Sequence, residues 1–307
     1  MSVSIFSFAL AGLTFLAVML VAGNNLSASV GPAVGSRIIS KRFGTLLGAV
    51  GFSTGLLVQG AGMANSVGIL LPNATPELRA VALLVAILIF VIADFARVPM
   101  SLSMSLVGLL AGLSFAGASS NGIYISKVAA MWFLAPLLAI ALSFVLVRAL
   151  ISRWPRNFWN RIQEYKLVLI FLSFSSAYVL GANTLGLVVA TGGFELTTEI
   201  VAVAAIFIGC FLLSSGEIRR IAQEFYLMRY VDATATLVTD TILVEVATLF
   251  NIPLSNTQTT ASAAFGTGLS YKNKFVSVKP FLIIAAGWIL APLLSFVIGI
   301  IIRRSIG

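Results

Sequence analysis

The sequence predicts an all-α integral membrane protein built from two related helical halves with broken helices. Three observations carry that reading. Hydrophobic residues make up 59% of the chain and charged residues only 9%, more apolar content than a soluble core requires. The apolar runs reach the roughly 20 residues of a helical span and lack the alternation of barrel strands. Landmarks also recur in order: AGNN at 22–25 with GANT at 181–184, Pro99 with Pro253, and WFLAP at 132–136 with WILAP at 288–292. Their offsets of 159, 154 and 156 residues are nearly constant, which describes a duplicated unit. The chain divides into a first membrane repeat at 1–147, a basic interfacial linker at 148–166 and a second repeat at 167–307.

Charge and composition narrow the class. The net charge of +9 lies mostly in short loops between apolar runs, the positive-inside pattern of a multi-pass protein in the cell membrane, and implies no nucleic-acid partner. One cysteine, Cys210, permits no internal disulfide and reads as a structural thiol. The absence of histidine removes the commonest general base and metal ligand.

Residues 1–22 read as a retained helix rather than a cleaved leader. The stretch 22–37 is rich in Asn, Ser and Gly, holds Pro32, and is poor material for a continuous lipid-facing helix. A basic turn (Arg37, Lys41, Arg42) precedes an apolar run from 43 to 71, and an exposed polar loop follows at 72–79. Residues 80–98 form a span carrying Asp94 and Arg97, which ends at Pro99. A polar interruption at 119–127 leads to a span at 128–150. The 148–166 linker carries five basic residues and the tryptophans Trp154 and Trp159, as a cytoplasmic interfacial anchor does. The second half repeats the plan. A span at 167–180 enters a glycine-rich break at 181–193, and Glu195 and Glu199 flank a span at 200–214. A mixed loop at 215–232 precedes an apolar segment at 233–252 containing Asp240 and Glu245. The break at Pro253, a loop with Lys272, Lys274 and Lys279, and a closing span at 280–302 complete the chain.

The two proline breaks are matched in detail. Pro99 is followed by Ser101 and Ser103, and Pro253 by Ser255 and Thr257; Gly112 and Gly266 lie equally far beyond their prolines. Proline cannot donate a backbone hydrogen bond or continue a helix through its ring, so each site reads as a helix break with side-chain oxygens at hand. The WFLAP and WILAP segments read as interfacial packing rather than ligand contact.

These landmarks resemble the inorganic phosphate transporter (PiT) family over nearly the whole chain. Its duplicated signature GANDVANA is matched by AGNNLSASVGPAVGS at 22–36 and begun again at 181–184, and its PVSTTH element by PLSNTQ at 253–258. The resemblance implies an inverted repeat with re-entrant hairpins that moves phosphate with Na+ or, in some members, protons. Where the signature has Asp, this chain has Asn25 and Thr184, and Gln258 replaces the histidine.

The chemistry such a site needs is present. A buried oxyanion must exchange its water for donors, which free N–H groups at broken helix ends supply. Asn24, Asn25, Ser101, Ser103, Asn183, Thr184, Ser255, Asn256 and Thr257 are the candidate substrate-binding residues. Asn25, Thr184, Asp240 and Glu245 are the candidate ion-coupling residues, and hydroxyl and amide oxygens could hold Na+. No organic cofactor is expected. Phosphate carries an O–H that a carboxylate satisfies, whereas sulfate carries none, so neutral Asn25 and Thr184 keep a sulfate permease as the rival reading. For Asp240 and Glu245, proton coupling and a structural pairing with Arg97 or a loop base stand equally. Asp94 has no assigned role. A secondary transporter whose two repeats rock about the anion is preferred over an anion channel. An enzyme is not expected, because the serines lack a paired base. A homodimer stays open.

Overall fold

The structure, a computed structural model, describes residues 5–72, 74–95, 100–152, 162–214, 228–271 and 278–306. Pro99, Arg97, both linker tryptophans, Lys272, Lys274 and most of the 215–232 loop fall outside them. Every regular element among the described residues is helical: α1 (Ile5–Gly35), α2 (Lys41–Gln59), α3 (Met63–Leu70), α4 (Pro76–Phe95), α5 (Leu102–Ala116) and α6 (Gly122–Ser152) in the first half. The second half contains α7 (Ile162–Leu180), α8 (Gly186–Gly192), α9 (Leu196–Leu212), α10 (Tyr230–Leu249), α11 (Asn256–Leu269) and α12 (Val278–Ile306). Among the described residues, six stretches are long and apolar enough to cross a membrane: 8–35, 41–70, 76–95, 122–151, 163–192 and 281–306. The chain is a multi-pass membrane protein.

The duplication seen in the sequence extends to the elements. α4 and α10 have equal length and lie 154 residues apart, and α5 and α11 begin 154 residues apart. The principal pairings cross between halves: α1 packs on α9 and α2 on α7, while α5 packs on α12 and α11 on α6. Each is the counterpart of its partner pairing, as an inverted repeat requires.

Glycine permits these close crossings. A Cβ on Gly108 or Gly112 of α5 would strike the backbone of Pro292 or Phe296 on α12. One on Gly266 of α11, the counterpart of Gly112, would strike Ile140 on α6. Apolar side chains such as Phe133, Leu137, Leu282 and Leu293 cover the outer faces of α6 and α12.

Two sequence expectations are corrected. The stretch at 22–36 is not a break, since α1 runs through it with Pro32 inside the helix. Its small residues face other helices rather than lipid; Ala22, Ser27, Ser29 and Val30 are at most 1% exposed. At 181–193 the chain breaks only at the far end, where α8 stops at Gly192 and Gly193 has φ 103°. Residues Gly181–Leu185 form a wide π-helical turn that joins α7 to α8 without interruption. Such a turn accommodates one extra residue and re-aims the side chains around it.

Candidate transport site

The second proline break is built from the end of α10. Asn251 adopts the left-handed conformation (φ 53°), its N–H donates to Thr248 O at 2.9 Å, and the Ile252 N–H donates to Ala247 O at 2.8 Å. This is the Schellman arrangement that closes a helix. Residues 252–255 are non-helical, and Ser255 is the N-cap of α11.

Neighbouring helices hold this segment through its backbone. The Asn251 carbonyl accepts from Ser66 Oγ at 2.5 Å and from the Tyr124 hydroxyl. Trp132 Nε1 donates to Pro253 O at 2.9 Å, and Gln258 Nε2 returns a bond to Trp132 O at 2.8 Å. Trp132 is therefore more than interfacial packing. It anchors the break of the opposite repeat.

Asn183, projecting from the π-helical turn, is committed to the same task. Its Nδ2 donates to Thr248 Oγ1 and Ile252 O, both at 3.0 Å, and its Oδ1 accepts the Leu254 N–H at 2.9 Å. Thr184 Oγ1 donates to Leu254 O at 3.5 Å. Both residues shape the break through its backbone. Asn24 and Asn25, on α1, are bonded to each other at 3.5 Å. Asn25 is buried and Asn24 half-buried.

The four hydroxyls of the two breaks form one cluster. Ser101 Oγ and Ser103 Oγ are 2.9 Å apart, Ser255 Oγ and Thr257 Oγ1 are 3.0 Å apart, and Ser255 Oγ donates to Ser101 Oγ at 3.2 Å. Ser101 and Ser255 are the N-caps of α5 and α11, yet neither makes a side-chain capping bond. The N-terminal turns of both helices consequently keep N–H groups without intrahelical acceptors, and their dipoles place partial positive charge on the hydroxyl cluster. A buried anion is stabilised by such a surround.

A second group lies immediately behind it. Asp240 on α10 accepts from Ser176 Oγ at 2.8 Å and from Thr259 Oγ1, and the Asn256 amide nitrogen can donate to both carboxylate oxygens at 3.0 Å. Asn256 thus faces Asp240. Glu245 accepts from Gln59 Nε2 at 3.0 Å, while its Oε2 has no partner among the described residues. Neither acid is paired with a described basic side chain, so the structural ion pair is not found among the described residues. Asp94 is exposed near the end of α4.

Sequence reasoning missed Trp132, Ser176, Thr248 and Thr259. Trp132 carried a signal in the repeated WFLAP and WILAP segments, and Thr248 and Thr259 as polar residues on helices flanking a recognised break.

A hydroxyl cluster contributed jointly by two repeats inside a helical bundle fits the arrangement of a secondary membrane transporter. A family model described as the phosphate transporter family matches residues 21–191 and 167–299. The chain belongs to that family. It is 26% identical over 303 residues to a Methanocaldococcus jannaschii protein provisionally named a phosphate permease, covering 96% of each chain. It is 24% identical to the sulfate permease CysP of Bacillus subtilis, over 90% of this chain and 81% of that one. A solved structure titled "The sodium-dependent phosphate transporter" superposes with a TM-score of 0.85 at 15% identity, covering 99% of both chains, and so has the same fold.

Proposed function

We propose that this chain carries phosphate across the membrane as a secondary transporter, bound where the N-termini of α5 and α11 meet and driven by Na+ or H+. The observation that supports it is the hydrogen-bonded set Ser101, Ser103, Ser255 and Thr257, which draws matched residues from both repeats to one point. Hydroxyls suit protonated phosphate because they donate to its bare oxygens and accept from its O–H. The N–H groups of two helix ends supply further donors without adding a fixed charge. Asn24 and Asn25 on α1 would contribute from the side, since α1 packs against both α10 and α11.

Sulfate is the second reading. It is favoured by Asn25 and Thr184, neutral where the family signature has carboxylates, and by the similarity to a sulfate permease. The test is uptake of labelled phosphate and labelled sulfate into liposomes under imposed Na+ or proton gradients, with the other anion as competitor. Phosphate uptake resistant to sulfate supports the first reading, and the converse supports the second. Ser255→Leu fills the cluster with hydrocarbon and should abolish uptake by a folded protein; undiminished uptake would sink the site.

A further inference from the structure

We propose that Asp240 is the proton-carrying group of this transporter and that Asn256 transmits its protonation to the anion centre. The inference rests on the transport reading above.

The Asp240 side chain is fully buried in the middle of α10. Its partners are all neutral: Ser176 on α7, and Asn256 and Thr259 on α11. The adjacent Thr260 is also fully buried. The elements around Asp240 offer no compensating charge. Helices α1 and α11 and the 181–185 turn contain no titratable side chain. On α7, Glu164, Tyr165 and Lys166 lie at the far end, and Tyr178 lies beside Glu245. On α6, Tyr124 is bonded to Asn251, while Lys127 and Arg148 are exposed. On α10 itself Asp232 is tied to Arg229 and Tyr271, Glu245 is tied to Gln59, and Tyr230 packs on Tyr165. A carboxylate so placed is costly unless a cation joins it.

A proton is the cation these contacts accommodate. Here Ser176 Oγ is 2.8 Å and the Asn256 amide 3.0 Å from the carboxylate, which are hydrogen-bond separations. The hydrogens also balance in both states. With Asp240 ionised, Ser176, Asn256 and Thr259 donate to it. When a proton from the outer water forms an O–H on Oδ1, that group donates to Thr259 Oγ1. The Thr259 hydrogen then turns to Asn256 O, 3.0 Å away. Release to the inner water breaks the same O–H and reverses the turn. Neither state strands a partner.

The second repeat alone has this site. At the corresponding positions of the first repeat stand Ala17, Ala86 and Leu102, each no more than 2% exposed, in place of Ser176, Asp240 and Asn256. The fold therefore closes without the carboxylate, whereas the hydroxyl cluster is kept in both halves. Asn256 links the two features. It is the first residue of α11, between Ser255 and Thr257 of the cluster, and its amide bonds to Asp240 follow the charge of that carboxylate.

The experiment uses the purified full-length protein in liposomes and compares two rates of labelled-phosphate entry: exchange against internal phosphate, and accumulation under an alkaline interior. For Asp240→Asn the ratio of accumulation to exchange is expected to fall at least about tenfold relative to wild type. A ratio unchanged within twofold, as would follow if pH acted only through phosphate speciation, overturns the proposal. Accumulation that follows a Na+ gradient and not pH in wild type, and is lost in Asp240→Asn, assigns a metal cation instead and also overturns it. Absence of phosphate exchange in wild type overturns the phosphate-transport reading on which the proposal rests. Ser176→Ala covers the case in which Asp240→Asn fails to fold. Losing one donor to the ionised carboxylate should move the pH profile of accumulation about one unit to the alkaline side, and an unmoved profile counts against the proposal.

Discussion

Replacing Asn183 with alanine tests whether the second break is held in shape by one side chain. The substitution removes the donations to Thr248 Oγ1 and Ile252 O and the bond from the Leu254 N–H. Thr248 keeps its own bond to Val244 O at 2.7 Å, so its loss is small. The Ile252 carbonyl and the Leu254 N–H lose a partner in the interior, at about 1–3 kcal/mol each, or about 2–6 kcal/mol together. For a chain of this size that corresponds to a fall in melting temperature of about 4–12 °C, taking about 2 °C per kcal/mol. The protein contains its own reporter. Cys210 is its one cysteine and is fully buried, with Sγ 3.8 Å from Ala22 O, so a thiol-reactive fluorogenic dye reads unfolding in detergent. Ser126→Ala, at an exposed hydroxyl bonded to Ile123 O, serves as the control and should move the midpoint by less than about 1 °C. A change below about 2 °C for Asn183→Ala, with uptake intact, would refute the reasoning, because the break would then be stable without its clamp.

Three further outcomes follow from the same geometry. Trp132→Phe keeps the ring's bulk but orphans the Pro253 carbonyl, and should lower stability by about 1–3 kcal/mol by the Cys210 assay and slow uptake more than Phe133→Leu does. Gly266→Val drives α11 away from Ile140 and Ser143, and should destabilise by at least about 1–3 kcal/mol, with Gly112→Val behaving alike against Phe296; tolerance of both would deny the close crossings. Burial, aided by its 2.5 Å bond to the Asp232 carboxylate, pushes the Tyr271 phenol up to about 12. Because the folded value lies above the ordinary one, the stability this phenol contributes is complete below pH 10 and is lost as pH rises towards 12. An ultraviolet difference titration between wild type and Tyr271→Phe should show no ionisation of that residue near pH 10.

Much of this site was legible because it is written twice. Pro253 with Ser255 and Thr257, set against Pro99 with Ser101 and Ser103, identified the hydroxyl cluster without knowledge of the packing, since a repeated polar break in apolar sequence has few other uses. The signature stretches misled for the same local reason. Gly, Asn and Ser weaken an isolated helix, but buried among other helices they permit close approach, so 22–36 stays helical and 181–185 widens instead of breaking. The partners of Asp240 were not legible at all, because Ser176 and Thr259 come from different helices and nothing in their spacing shows which faces meet. Asn251 could have been found: an Asn at the end of an apolar run, two residues before proline, is a helix-stop signal.

The pairing of the helices also bears on how such a protein could move. Rocking of the two repeats as separate bodies is the simplest expectation, yet the tightest crossings join opposite halves, with Gly108 and Gly112 against Pro292 and Phe296, and Gly266 against Ile140. Separating the halves would open every one of these contacts at once. A motion that preserves them must carry α5 with α12 and α6 with α11, shifting these pairs against the set α1, α2, α7 and α9, together with α4, which packs on α1. The hydroxyl cluster sits where the two mobile pairs meet, while Asn183 and Asp240 lie on the seam between those pairs and the remainder. In a Cys210→Ser background, a disulfide between α5 and α12 near Gly112 and Gly299 should therefore leave uptake intact. One between α5 and α4, which pack together within the first half, should arrest it. The opposite pattern would restore the repeats as the moving bodies.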